Sequence, residues 1–276
     1  MNIKIDDVIG PWKVISVYRL EYDSCLAIVV REGDATEWFM KISKNNNEIK
    51  NIQTYDIHKH IYGMKLPDTD AFGTHGKAHW YVMEKFATDC SKGKEYVIDV
   101  NLFITSIIQF LKYIHRTHNV IHGDLKINNV LQKDNKYRVC DFETMTKPHN
   151  SDICNEINYD NYYYYSYGAE YNMPVSSYKY DLQAVGYMLM IIENKFELLK
   201  FQTLAHCFYR NRFRSNYFDQ VKKLRDGAAH SMTEKTKAYF KILEAIDWFS
   251  LEPPSESVYD EILALYSTVP KDITNS

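Results

Sequence analysis

The sequence predicts an α+β fold in two parts, a small β-rich N-terminal part and a larger helical C-terminal part. Two patterns carry that expectation. Short β-branched and aromatic runs fill residues 12–43, and after about residue 97 apolar residues recur at helical spacing. Composition agrees. Of 276 residues, 45% are hydrophobic, 14% aromatic and 25% charged, enough for a packed core and unlike a disordered or fibrous chain. Ten glycines and seven prolines are few for a many-turned all-β protein.

Residues 12–18, 26–30 and 37–43 read as strands separated by polar turns such as Arg31-Glu32-Gly33-Asp34. Residues 45–61 read as helical, with Ile49, Ile52 and Ile57 roughly on one face, and residues 79–83 as a further strand. Residues 100–115 place Leu102, Phe103, Ile107, Phe110, Leu111 and Ile114 at helical spacing. Two short strands bracket a polar loop over 120–141, and 180–192, 218–223, 233–248 and 259–266 read as helices. No internal repeat is visible, and the tail after Tyr266 reads as loose.

Charge and cysteine usage narrow the partners. Thirty-three basic against 36 acidic residues give a formal charge of −3, so no overall attraction to nucleic acid or anionic lipid is expected. The longest apolar run, near residues 188–192, is far short of the roughly 20 residues a membrane span needs, and residues 1–7 show no apolar signal core. Cys25, Cys90, Cys140, Cys154 and Cys207 are odd in number and never spaced Cys-x-x-Cys, which suggests neither a disulfide framework nor a zinc site. An intracellular compartment, cytoplasmic or nuclear, is the expectation.

The chemistry concentrates in His122-Gly-Asp-Leu-Lys-Ile-Asn-Asn129 and Cys140-Asp-Phe-Glu143. Val130 and Leu131 lead out of the first loop, the chain turns at residues 133–136, and a second strand returns it to Asp141. Two carboxylates, an amide and an ammonium brought to one edge could hold a divalent cation and a phosphate. Mg²⁺ takes one or two carboxylates plus substrate phosphates, and lysine is a compact charge for a phosphoryl group.

These two stretches resemble the catalytic and metal-binding loops of protein kinases. Within that superfamily the chain is most similar to the vaccinia-related kinases, poxvirus members included, and next to the casein-kinase-one group, which likewise carry His-Gly-Asp. Residues 83–89 resemble their hinge, Asp181 to Gly186 their C-lobe helix start, and residues 239–259 their last helical pair. The resemblance implies a bilobal kinase-like domain over 1–276, with an N-lobe at 1–83, a hinge at 84–88, a C-lobe at 89–266 and a tail at 267–276.

The resemblance also implies roles. Asp124 orients the substrate hydroxyl and accepts its proton, Lys126 steadies the γ-phosphoryl group, and Asn129 and Asp141 hold Mg²⁺. Lys41 contacts the α- and β-phosphates of ATP and Glu48 pairs with it. Met83 is the gatekeeper, and Glu84 to Phe86 offer backbone groups to adenine. Lys126 is the serine/threonine-kinase habit, so the implied activity is ATP- and Mg²⁺-dependent phosphorylation of protein Ser/Thr hydroxyls. His122 and Asp181 read as structural, Asp181 as a carboxylate at a helix start that satisfies backbone amides.

Three positions depart from the family. No Gly-x-Gly-x-x-Gly lies between Trp12 and Ile28; the turn reads Leu20-Glu-Tyr-Asp-Ser-Cys25, whose β-carbons hinder close approach to phosphates. Glu143 replaces a glycine and could join or crowd the metal site. Gly123 replaces the arginine that receives an activation-loop phosphate in many kinases. The degenerate turn leaves a second reading, a pseudokinase that binds a related kinase or regulatory protein. A third is a small-molecule kinase of the aminoglycoside or choline type, against which Lys126 and the Asp181 helix start argue. Residues 162–165, four tyrosines, read as aromatic packing, a peptide-docking surface or phosphorylation sites, and Arg210, Arg212 and Arg214 as a solvated loop or a contact for an acidic peptide or phosphate.

Overall fold

Alternation with a period of two organises the first third of the chain. A computed structural model describes residues 3–20, 23–90, 98–150, 175–194, 232–247 and 250–267. Six strands form one antiparallel sheet: β1 (Val8–Ile9), β2 (Trp12–Leu20), β3 (Ser24–Arg31), β4 (Trp38–Ser43), β5 (Phe72–His75) and β6 (Ala78–Glu84), in the order β1-β2-β3-β4-β6-β5. Side chains alternate between its faces. Met40, Ile42, Trp80 and Val82 point one way and close a core with Trp12, Val14, Ala27 and Val29. On the opposite face β4 and β6 pair Lys41 with Tyr81 and Phe39 with Met83, so these four side chains share one surface.

Helix α1 (Asn47–Thr54) covers that surface, burying Glu48 and Ile52. It is shorter than the sequence pattern suggests. Asp56 adopts a left-handed φ of 48°, which ends the helix, and a separate 3₁₀ turn follows at Ile57–Lys59. Asn46 makes no side-chain capping bond. An eight-residue helix without a cap depends on its tertiary contacts.

The longer helices behave differently. Asp99 caps α2 (Val100–His118) by accepting from the Asn101 and Leu102 amides, and Asn119 ends it at φ 54°. Its apolar face, Phe103, Ile107, Phe110, Leu111 and Ile114, is buried. β7 (Thr88–Asp89), β8 (Val130–Lys133) and β9 (Lys136–Val139) form a small antiparallel sheet in that order, and β10 (His149–Asn150) pairs with β11 (Val175–Ser176). Helix α3 (Tyr178–Asn194) is buried on every side from Tyr178 to Met190, the mark of a core helix. Helices α4 (Glu234–Glu244) and α5 (Glu256–Tyr266) pack around it and α2. Thr233 caps α4, which ends earlier than expected because the Ala245 amide turns back onto the Ile242 and Leu243 carbonyls.

The large core runs from α2, α3, α4 and α5 through β8 and β9 up to Ile52, Tyr81 and Met83. Strands β1, β5 and β7 and the β10–β11 pair were not foreseen, being too short or too polar to announce themselves. The expected helix at 218–223, the tyrosines at 162–165, the arginines at 210–214 and the tail beyond 267 lie outside the described residues. Among the described residues no helix is long and apolar enough to cross a membrane, and Cys25, Cys90 and Cys140 are free thiols.

Candidate active site

Three segments distant in sequence bring charge to one place. β4 supplies Lys41, α1 supplies Glu48 from its first turn, and the residue two beyond β9 is Asp141. Lys41 Nζ lies 2.6 Å from Glu48 Oε2 and 2.9 Å from Asp141 Oδ1. A buried carboxylate is costly unless its oxygens are satisfied. Glu48 Oε1 accepts from the Tyr81 hydroxyl at 2.9 Å and from the Phe142 amide at 3.1 Å.

The charges tune one another. Burial works against the Lys41 ammonium, but Glu48 and Asp141 outweigh it and raise its pKa above the ordinary lysine value. Burial also opposes ionisation of Asp141, yet Lys41 outweighs it and holds the carboxyl below its usual range. Burial pushes the more enclosed Glu48 carboxyl up, against the pull of Lys41. Asp141 sits at φ 67°, in the left-handed region that aspartate and asparagine tolerate better than most residues. Phe142, next in the chain, is fully buried beside Phe110 and His122.

A second cluster forms in the loop before β8. Asp124 receives Lys126 Nζ at 3.0 and 2.9 Å on its two oxygens. Asn129, in the 3₁₀ turn Ile127–Asn129, donates Nδ2 to the Asp124 carbonyl at 2.9 Å and to Asp124 Oδ2 at 3.1 Å. Burial raises the Asp124 carboxyl above its usual range, against Lys126. The clusters are tied together by backbone: the Cys140 amide donates to the Asn129 carbonyl at 2.9 Å, and His122 Nε2 donates to the Cys140 carbonyl at 3.1 Å. With its proton on Nε2, His122 accepts the Asp124 amide on Nδ1 at 3.3 Å, a structural role as expected.

Asp181 anchors this loop from below. Its Oδ2 accepts the His122 amide at 2.6 Å and its Oδ1 the Gly123 amide at 3.1 Å. His115 Nε2 lies 3.0 Å from Oδ2, and His115 Nδ1 lies 2.7 Å from the Tyr259 hydroxyl. The amides satisfied are therefore those of the loop carrying Asp124, not those of Asp181's own helix. Gly123 has φ 77°, with the Thr144 carbonyl 3.1 Å from where a β-carbon would stand. A side chain there would have to hold this backbone conformation and shift the Thr144 carbonyl by a few tenths of an ångström, a demand that glycine avoids.

The hinge residues are placed less uniformly. Met83 is buried on the Lys41 face. The Glu84 amide is spent on the Lys65 carbonyl at 2.8 Å, so it offers no donor to a ligand, and its carboxylate lies 3.4 Å from Lys133. The Phe86 amide has no protein acceptor among the described residues.

Two departures resolve into contacts. Asp23 is paired with Lys44 at 2.6 Å, while residues 21–22 of that turn lie outside the described residues. The Glu143 carboxylate meets Asn45 Nδ2 instead of crowding Asp141. Asn51 Nδ2 adds bonds to the Phe142, Glu143 and Met145 carbonyls at 2.7, 3.4 and 3.5 Å, so α1 and its approach grip residues 142–145 through Asn45, Glu48 and Asn51.

Sequence reasoning missed Tyr81, Asn45, Asn51, His115 and Tyr259. Tyr81 shares strand parity with Met83, and Asn51 stands one turn from Glu48, signals that would have found both. Among the described residues no three His, Cys, Asp or Glu side chains gather as a metal cage. Asp141 and the Asn129 amide could contribute two protein ligands, the number Mg²⁺ uses when phosphates complete its shell. A protein-family model described as protein kinase domain matches residues 13–250. No curated protein matches the chain.

Proposed function

The chain belongs to the protein kinase family, and from that premise we propose that it transfers the γ-phosphoryl group of ATP, with Mg²⁺, to serine or threonine hydroxyls of a protein substrate. The observation that carries this reading is the Lys41 ammonium within 2.9 Å of both Glu48 and Asp141 across 100 residues of sequence. Catalysis of phosphoryl transfer rests on positioning and charge neutralisation. We read 1–83 and 89–266 as lobes joined at 84–88, with the larger core reaching from the second into the first at Ile52, Tyr81 and Met83.

In this reading Lys41 contacts the α- and β-phosphates, with Glu48 fixing its direction. The Phe86 amide and the Glu84 carbonyl receive adenine beside Met83. Asn129 spends its Nδ2 on two bonds to Asp124, and its amide oxygen would be one ligand for Mg²⁺. Asp141, kept ionised by Lys41, is the second ligand. Mg²⁺, when bound, neutralises phosphate charge as the bond to the leaving group breaks. Asp124 accepts the proton of the attacking hydroxyl while Lys126, already within 3.0 Å of it, faces the transferred group. His122-Gly123-Asp124 supports a place near the vaccinia-related and casein-kinase-one groups.

A second reading, a pseudokinase, is favoured by one feature: the turn at residues 20–25 has no glycine to let backbone amides approach phosphates. Two measurements separate them. ATP with Mg²⁺ at about 100 times its Kd stabilises a binding protein by about 2.7 kcal/mol, seen as a saturable rise in Tm. Transfer of labelled γ-phosphate to a protein substrate, absent in Asp124→Ala, is the expected result. A Tm rise without transfer at millimolar ATP leaves a nucleotide-binding pseudokinase; neither signal sinks the reading of the site.

A further inference from the structure

The proposed chemistry depends on Glu48 standing where it can direct Lys41, and helix α1 is held there by tertiary contacts, Asn51 and Asn45 to residues 142–145 among them. It is eight residues long and carries no side-chain cap. The Tyr81 hydroxyl supplies a different brace. Tyr81 stands directly opposite Lys41 in the β4–β6 ladder, so both side chains leave the sheet on the face that α1 covers. From there the hydroxyl donates to Glu48 Oε1 at 2.9 Å while Lys41 holds Oε2 at 2.6 Å. Tyr81 is 3% and Glu48 5% exposed, so water does not compete for the bond. Glu48 Oε1 shares its remaining capacity with the Phe142 amide at 3.1 Å, which couples the same oxygen to the segment carrying Asp141.

We propose that Tyr81 is a positioning residue: its hydroxyl, by holding Glu48 Oε1, sets the Glu48–Lys41 pair and the Phe142 amide in register without any modification of the chain. What that pair does for a nucleotide rests on the kinase reading; that Tyr81 holds it does not. The ring contributes to the core whatever the hydroxyl does, so Tyr81→Phe, which keeps the ring, isolates the bond. No other donor within the described structure takes its place on Oε1 except the Phe142 amide already there.

The test has two arms. In the nucleotide-free protein, hydrogen exchange is followed at the amides of residues 48–54 and at Phe142. Tyr81→Phe is expected to speed exchange at both about tenfold, leaving the amides of β2 and β3 at wild-type rates. Unchanged exchange at α1 and Phe142 overturns the proposal. In the second arm, kcat/KM for ATP is expected to fall about 10- to 100-fold in Tyr81→Phe, the loss associated with one charged hydrogen bond. In a Glu48→Ala background the same substitution should cost less than about threefold, because the acceptor it serves is gone. An equal cost in both backgrounds overturns the proposal. If the wild-type protein neither binds ATP nor transfers phosphate, the kinase reading fails, and the exchange arm alone decides the role of Tyr81.

Discussion

Replacing Asp181 by asparagine should unfold the protein more readily than any change of similar size on its surface. The carboxylate is fully buried and accepts three hydrogen bonds, from the His122 and Gly123 amides and from His115. Hydrogen bonds to a charged acceptor contribute about 1.5–3 kcal/mol each. Asparagine keeps the shape and one oxygen, so at least one bond survives, but its amide nitrogen faces a donor where an acceptor is needed. The net loss is about 3–5 kcal/mol, in line with the removal of one partner from a buried charged cluster. For a chain of this length that corresponds to a fall in Tm of about 6–20 °C. The assay is thermal unfolding followed by circular dichroism, with urea titration as a cross-check. A Tm within about 2 °C of wild type would refute the claim that this carboxylate holds the loop. Phosphoryl transfer, if measured below the new Tm, should fall as well, since the loop it anchors carries Asp124.

Two further outcomes follow from the geometry. The acid limb of kcat/KM should reflect Asp124 together with Glu48: burial raises both carboxyls, so protons return and activity falls at a pH above their ordinary values of about 3.9 and 4.3, whereas the Asp141 carboxyl is held below its own. Lys126→Met removes the cation that pulls the Asp124 pKa down, and should move that limb to still higher pH; a pH–rate profile with an unmoved or lowered limb contradicts this assignment. Gly186→Ala should destabilise by about 1–3 kcal/mol, because a β-carbon there would lie 2.6 Å from the Phe240 ring and 3.2 Å from Tyr239, and Phe240→Leu should restore part of the loss in a denaturation curve.

Much of the fold was legible because its signals are local. Strand alternation gave β2, β3, β4 and β6, and helical spacing gave α2, α3, α4 and α5 with small errors at their ends. Helix α1 was overextended because the pattern of Ile49, Ile52 and Ile57 continues across a backbone break at Asp56 that no apolar periodicity records. The motif residues were visible for a similar reason. Asp124, Lys126 and Asn129 sit within six residues of one another, and a hairpin returns the chain to Asp141.

The sequence alone therefore determined the longer strands and helices, and where along the chain the charged motif residues lie. Only the tertiary structure decided who holds whom. Glu143 turned out to clasp Asn45, Asp181 to serve a loop 59 residues away, and Tyr81 to reach Glu48. The physical reason is one of range. Periodicity and turn chemistry act over a few residues, while the partner of a buried polar group is chosen by whichever distant segment packing brings within about 3 Å.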